Sequence, residues 1–491
     1  MQASIFNVRV PLRDQSDVFL MNTLTDAQII VPPEVVSLLD SIEGRTQPGH
    51  ATARPFDDEE REALATLTEL GFVVESHDAD RRALDTYFDT IRHDTSQLRL
   101  TVLTTLQCNF ACDYCFQGDH GDYNAHAHKM SLETAAQVVA HAGQQMDAVR
   151  PKSLSVTFFG GEPLLNLPVL YYIAEHVHAA ATARGVRVGL SIITNGLLLT
   201  PEVVDRLLPY GLHGVKVTLD GDKAAHDHMR PLRGGQGTFD KIVANLRAIA
   251  GKCTISIGGN FNADNADSFP ALLDFLARQE FASQIAKVAF KPVISGAPKA
   301  PAVKPNPALK PNRATGIIPL TPVASDGKPL GGTCMTVAGA GSRPDHPAGD
   351  VCSSCHFVDE TMGFLREETK KRGFPTIDGV HMGPCELHRK HAHTIGPDGA
   401  TYACPGFTGE PALATGHIAA APTPLQAKAA DQFDRIGAWR KCGDCSFIPV
   451  CAGGCHVASH TELGDMDSPT CHRPSLESAL VSLAADAAAL S

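Results

Sequence analysis

Apolar positions between residues 95 and 295 follow two alternating rhythms. Short runs, "LRLTVLTT", "SLSVTFFGG", "RVGLSIITNG", "GVKVTLDG", "CTISIGGNF" and "KVAFKPV", are rich in β-branched residues and leucine. Between them lie longer stretches with helix-like apolar spacing, such as "SLETAAQVVAHAGQQM", "LPVLYYIAEHVHAAATARG" and "PEVVDRLLPYG". The first rhythm predicts strands and the second helices. Their alternation predicts an α/β fold with a parallel sheet and right-handed crossovers over residues 93–295. In such sheets the chemistry gathers at the carboxyl ends of the strands.

The flanks read differently. In residues 1–92, "IFNVRVPL", "DVFLMNTLT" and "AQIIVP" predict three short strands. "PEVVSLLDSI" predicts a helix with Pro33 in its first turn. "DDEEREALATLTELGFVVE" predicts another, capped by Asp57 or Asp58 and ended by Gly71. Together they make a winged-helix-like module. Its plain role is packing; its sharper role is peptide docking, because an exposed strand edge accepts a peptide as an added strand. Residues 296–380 are rich in Pro, Gly and Lys and predict an irregular bridge. Residues 381–491 form a cysteine-rich segment that metal rather than a large apolar core would hold together. Its tail, "PSLESALVSLAADAAALS", predicts a terminal helix.

Charge and composition narrow the classes. A net charge of −12 over 491 residues argues against a nucleic-acid-binding surface while leaving room for a local basic patch. No apolar run reaches membrane-spanning length, and "MQASIFNVRVPLRDQ" lacks the layout of a signal peptide. The expected location is the cytoplasm, where fourteen cysteines are poorly explained by disulfides. Thirteen of them cluster near residue 110, between 334 and 355, and from 385 to 471, which reads as metal ligation. Cys253 stands alone and reads as a small buried residue. The histidines of "HRKHAH" at 388–393 read as surface residues.

Cys108, Cys112 and Cys115 are spaced C-x3-C-x2-C directly after the first predicted strand. Three thiolates on one loop can hold three irons of a 4Fe–4S cluster and leave the fourth open. Zinc, or buried structural cysteine, remains an alternative on spacing alone. After the second strand comes "FFGGEPLLN" with Gly160, Gly161 and Glu162. Two glycines let a ligand approach the backbone, and the carboxylate can take an ammonium group. In isolation these three residues and Pro163 could be an ordinary strand-to-helix turn.

The cysteine loop followed by GGEP resembles the radical S-adenosylmethionine superfamily. "TNG" at Thr194–Gly196, "TLDG" at Thr218–Gly221 and "HDHMRPLRGGQGTF" with Arg230 fit the same pattern, in order. The resemblance implies a partial (β/α)6 barrel and an open iron chelated by the methionyl amine and carboxylate of S-adenosylmethionine. Reductive cleavage of the S–C5′ bond then yields a 5′-deoxyadenosyl radical that takes a hydrogen atom from the substrate. It also implies a cofactor-binding set. Gly160, Gly161 and Glu162 hold the amine, with Thr194 and Asn195 in the neighbouring motif. Thr218 lies at the ribose, Arg230 pairs with the carboxylate, Tyr114 lies against the adenine, and Val293 or Ile294 flanks the base.

Further on, Cys385 and Cys404 read C-x13-G-x4-C with Gly399, and Cys442, Cys445, Cys451 and Cys455 read C-x2-C-x5-C-x3-C, closed by Cys471. This order resembles a SPASM domain, with a zinc ribbon as the alternative. The resemblance implies two auxiliary iron–sulfur clusters, making three with the radical-generating one. Cys442, Cys445, Cys451 and Cys471 would ligate the outer auxiliary cluster, and Cys385, Cys404 and Cys455 the inner. For the inner cluster's fourth ligand Cys334, Cys352 and Cys355 are candidates; otherwise that site is open to substrate. "VCSSCHF" could instead be a third metal site or a redox pair.

SPASM radical enzymes mostly modify peptides and proteins. The expectation is a maturase that installs a thioether or carbon–carbon crosslink, or a related oxidation, in a ribosomally made precursor. The N-terminal module, which resembles leader-peptide recognition domains, would bind that precursor, and a flavodoxin or ferredoxin would supply electrons. The formylglycine-generating sulfatase-maturing enzymes are an alternative, but the acid expected after their second SPASM cysteine is Pro405 here. A non-catalytic iron–sulfur electron carrier or peptide-binding protein is a third, disfavoured by GGEP and Arg230.

Overall fold

The computed structural model describes residues 1–12, 16–45, 55–115, 128–293, 353–377, 380, 383–471 and 473–490. The N-terminal part contains β1 (Gln2–Ala3), β2 (Asn7–Pro11), β3 (Val18–Asn22) and β4 (Gln28–Val31), then α1 (Pro33–Arg45), α2 (Asp58–Glu69), β5 (Val73–Val74) and α3 (His77–Arg92). Strands β2, β3 and β4 form an antiparallel sheet in that order. Asp57 caps α2 in a reciprocal capping box with Glu60. Gly71, at φ 85°, follows the cap in the left-handed region that favours glycine. Helix α3, capped by Ser76, is additional to the two helices expected there.

Adjacent residues of β3 serve different cores, because side chains alternate along a strand. Leu20 packs with Leu39, Leu64, Leu67 and Phe72 of the module itself. Phe19 and Met21 pack instead with Leu480 and Ala484 near the chain's end. One face of the small sheet is therefore covered by distant chain.

All six predicted strands of the central sheet form: β6 (Gln97–Leu103), β7 (Ser153–Phe159), β8 (Arg187–Thr194), β9 (Leu212–Thr218), β10 (Thr254–Phe261) and β11 (Ile285–Pro292). They are parallel and consecutive in space. The intervening helices are α4 (Leu132–Val149), α5 (Leu167–Thr182), α6 (Pro201–Leu207), α7 (Lys223–Met229), α8 (Phe239–Ile249) and α9 (Phe269–Ala277). Leu154, Val156 and Phe158 of β7 are buried in the main core, while Ser155 and Thr157 alternate with them on the opposite face. That second, more polar face is the inner surface of the partial barrel.

Two features depart from the expected layout. Within the segment expected to be irregular, α10 (Ser353–Lys371) is a helix of 19 residues. Its apolar positions fall in "CHFVDETMGFLREE", beyond the Pro/Gly-rich composition that dominated the reading. Leu365 reaches the main core. The second departure is that the cysteine-rich part joins the central sheet. β12 (Ala392–Ile395) pairs in parallel with β6, followed by β13 (Ala400–Tyr402) and β14 (Gly416–His417), giving nine strands in one sheet. Helices α11 (Pro424–Arg435), α12 (Ile448–Cys451), α13 (His456–Leu463) and α14 (Arg473–Leu490) complete the described chain.

Trp439 locks the two ends together. It stacks on Phe88 of α3 with ring centroids 4.3 Å apart and is 7% exposed. Trp439→Ala should therefore destabilise the fold by about 3–5 kcal/mol. Thermal denaturation would read this as a lowered midpoint, and an unchanged midpoint would show that the stack carries little.

Candidate active site

The cysteine loop is clamped from beneath by the end of β7. Gly161 N donates to Thr105 O at 2.9 Å and Glu162 N to Gln107 O at 2.8 Å. A β-carbon on Gly160 would overlap the Thr105 carbonyl, and one on Gly161 would overlap those of Leu106 and Gln107. Gly160 also has φ 142°, which side-chain-bearing residues rarely adopt. The glycines thus make way for the chain's own carbonyls, one step before Cys108, and not for a ligand alone.

Glu162 is fully buried. Its Oε1 accepts from Leu164 N at 3.0 Å and Thr194 Oγ1 at 2.7 Å, and its Oε2 from Asn195 N at 2.8 Å. Burial pushes its carboxyl above the usual range, and these hydrogen bonds and the Arg230 charge pull it back. Thr194 and Asn195 therefore orient Glu162. Asn195 also reaches the cysteine loop, donating Nδ2 to Asn109 Oδ1 at 2.7 Å and lying 4.0 Å from Cys108 Sγ.

Cys108, Cys112 and Cys115 lie together on this loop. Phe110 N donates to Cys108 Sγ at 3.4 Å. Burial pushes the Cys108 thiol up to about 12 and the Cys112 thiol up to about 11. Their charges oppose one another, Cys112 acting on Cys108 and Cys115 on Cys112. Such thiols ionise when a metal displaces the proton, which suits a cluster-binding loop.

Arg230 approaches from the other side. Its Nη1 donates to Tyr114 Oη at 2.5 Å and lies 3.4 Å from Asp220 Oδ2, to which the Tyr114 hydroxyl also donates. Asn260 completes the group, with N donating to Asp220 Oδ1 at 2.7 Å and Nδ2 to Tyr114 Oη at 3.3 Å. Arg230 Nε is buried and has no hydrogen-bond partner among the described residues. A spare guanidinium donor at this point fits a ligand carboxylate. Tyr114 reaches the strand rim through its hydroxyl, an interaction absent from the sequence reading.

Asp220 and Asn260 were missed, although Asp220 stands inside TLDG and Asn260 inside the fifth strand pattern. His226 is a buried neutral prop, pushed down to about 3 by burial, with Nδ1 accepting from Asp220 N at 3.2 Å. Thr218 ends β9 at the same rim. Val293 follows β11 and donates its N–H to Phe261 O at 2.9 Å.

The C-terminal thiols fall into two groups. Burial raises Cys404 to about 12, helped by the charges of Cys385 and Cys455. Burial likewise raises Cys442 to about 12, helped by Cys451, Cys445 and Cys471. Among the described residues no three His, Cys, Asp or Glu groups converge to hold one metal ion. A four-iron cube spreads its thiolates more widely than a single ion does. Cys334 and Cys352 lie outside the described residues, and Cys355 lies on α10 with its side chain outside them. Cys253 is half-buried.

Of the histidines expected at the surface, His388 is buried and His393, within β12, is half-buried. His388, pushed down to about 3, has Nε2 3.3 Å from that of His456, and His393 is pushed down to about 4, in each case mainly by burial. The strand they adjoin had not been foreseen.

Residues 102–276 match the model of the Radical SAM superfamily. The sheet, the cysteine loop and this match make the segment a radical SAM domain, whose superfamily members are enzymes that use S-adenosylmethionine and a 4Fe–4S cluster. The radical SAM cyclopropyl synthase TigE of Paramaledivibacter caminithermalis is 27% identical over 158 residues, covering 30% of this chain and 32% of TigE. The mycofactocin maturase MftC of Mycobacterium tuberculosis is 30% identical over 156 residues, covering 31% of this chain and 34% of MftC. The matches thus span about a third of either relative. The solved structure of native anSMEcpe with bound AdoMet superposes with a TM-score of 0.54 at 16% identity, covering 80% of this chain and 98% of that one. This last likeness is one of fold. Residues 102–276 thus match the Radical SAM superfamily, and part of the chain is similar to parts of TigE and MftC.

Asp220 is fully buried and opposes a guanidinium that is 11% exposed. Asp220→Ala should cost about 3–5 kcal/mol by stranding that charge, against about 1–3 kcal/mol for Tyr114→Phe. Chemical denaturation of both variants checks the order, and equal effects would refute it.

Proposed function

We propose that this protein is a radical SAM peptide maturase that oxidatively crosslinks a ribosomally made precursor, by a thioether or carbon–carbon bond or a related oxidation. One observation supports the radical chemistry: a C-x3-C-x2-C loop, half-buried at Cys108 and Cys115 and buried at Cys112, lies near both the buried Glu162 and an incompletely bonded Arg230. Cys108, Cys112 and Cys115 would hold a 4Fe–4S cluster. Glu162 would receive the amine of S-adenosylmethionine and Arg230 its carboxylate. Gly160, Gly161, Thr194 and Asn195 would set Glu162, and Thr218, Tyr114 and Val293 would border the nucleoside. Reduced by a flavodoxin- or ferredoxin-like donor, the loaded site supplies a carbon radical able to take hydrogen from a substrate.

The peptide part rests on the ends of the chain. β4 is the last strand in the β2-β3-β4 order among the described residues, and a precursor strand would pair there. Residues 1–92 would be that docking module, 93–295 the barrel, and 381–491 a SPASM domain reached through 296–380. The thiol groups of Cys442, Cys445, Cys451 and Cys471, and of Cys385, Cys404 and Cys455, would each hold an auxiliary cluster. Cys334, Cys352 or Cys355 could complete the second. These clusters would accept the electron left by hydrogen abstraction and bond formation. Pro405 offers no carboxylate where formylglycine chemistry expects one.

Replacing Cys108, Cys112 and Cys115 together by Ala should abolish 5′-deoxyadenosine formation under anaerobic reduction. Persistent formation would end the radical assignment. Hydrogen exchange at residues 28–31 should slow when the precursor peptide is added, and unchanged exchange would remove the docking role of β4.

A further inference from the structure

Inside the barrel, one cationic group is left over from the chemistry described so far. Lys216 stands on β9 two residues before Thr218, so both face the barrel interior, while Val215 and Val217 are buried in the main core. Its side chain lies flat across β10. A β-carbon on Gly258 would come within 2.8 Å of Lys216 Cε and 3.7 Å of its Nζ, so the glycine gives the stem its path. That path leads toward β11, whose Lys287 and Lys291 pair in register with Ser256 and Asn260.

Among the described residues no carboxylate forms an ion pair with Lys216, Lys287 or Lys291, and the charges acting on Lys216 are those of the other two lysines. Burial chiefly, and then these like charges, push its ammonium down to about 8. Lys291 also acts on the Cys404 thiol, so the cluster of lysines extends from below the Thr218 rim toward the C-terminal thiols. Lys216 is half-buried and Lys287 and Lys291 are exposed beside it; three ammonium groups on one face of the sheet repel one another, and an entering anion relieves that repulsion.

We propose that Lys216, backed by Lys287 and Lys291, is a substrate-positioning residue that binds a carboxylate of the peptide inside the barrel. The inference rests on the maturase reading and adds to it the substrate's chemical class: an acidic side chain or a free C-terminus close to the modified residue.

Reductive methylation of the intact protein, read by mass spectrometry, tests it without turnover. N-acetylglutamate amide carries a side-chain carboxylate, N-acetylalanine a terminal one, and N-acetylglutamine amide neither. One or both acids should slow Lys216 labelling at least threefold, and which one does so identifies the source. The neutral amide should leave the rate unchanged. In ligand-observed NMR, Lys216→Met should lose binding of the protecting acid and Lys216→Arg should keep it. Equal protection by the neutral amide or by inorganic phosphate, no protection by either acid, or unchanged binding to Lys216→Met would overturn the proposal. Labelling needs neither cluster nor radical. Acid protection in a protein that forms no 5′-deoxyadenosine would therefore keep the anion site and discard the maturase reading.

Discussion

The close approach of two backbones, residues 105–107 and 160–162, is the constraint on which the site depends. Two hydrogen bonds hold them, and the space between admits no β-carbon at Gly160 or Gly161. Because Cys108 follows Gln107 directly, the clamp sets where the thiol loop begins. Because Glu162 follows Gly161 directly, it also sets where the carboxylate sits. One contact thus fixes the spacing between the thiol loop and the buried carboxylate, the kind of constraint that positioning of reacting groups requires.

Burial then gives that contact its chemistry. Glu162 is inside the protein and would be costly to ionise without donors. Thr194, Asn195 and Leu164 supply them. Arg230 is buried too, and Tyr114 and Asp220 share its charge while leaving Nε without a partner. Both charged groups act on the cysteine loop, each is anchored by neighbours, and each is suited to one end of an amino-acid zwitterion. Substitutions at Thr194 or Asp220 would act through these partners without touching a ligand.

The central sheet was legible because its strands and helices differ in apolar period, and all six strands formed where the pattern put them. The cysteine clusters stand out in the sequence through their spacing alone. What escaped was long-range. Nothing in "HAHTIG" announces that β12 will pair with β6, nearly 300 residues earlier, since a short strand has no period to display. For the same reason His388 and His393 looked like surface residues. The helix at 353–371 was hidden by the composition of the stretch before it. Asp220 and Asn260 sat in recognised motifs, yet their bonds to Tyr114 depend on the cysteine loop meeting the end of β10 and the turn after β9. Lys216 looked like one polar position in a strand; only the register with β10 and β11 gathers it with Lys287 and Lys291.

The small N-terminal sheet shows how the parts constrain each other. Were it a tethered module, β3 would need only one apolar face. Instead Leu20 faces its own helices while Phe19 and Met21, both almost wholly buried, face Leu480 and Ala484 of α14. Exposing two such side chains would cost about 3–6 kcal/mol by area alone. Phe88 on Trp439 adds a second attachment, and Arg81 with Asp444 a third at the surface. Helix α14 in turn packs against α10, where Lys370 donates to Ser482 at 2.5 Å, and α10 brings Leu365 to the main core. A peptide strand added at β4 would then be held at a fixed distance from the barrel, and the length of chain between docking segment and modified residue becomes a geometric quantity.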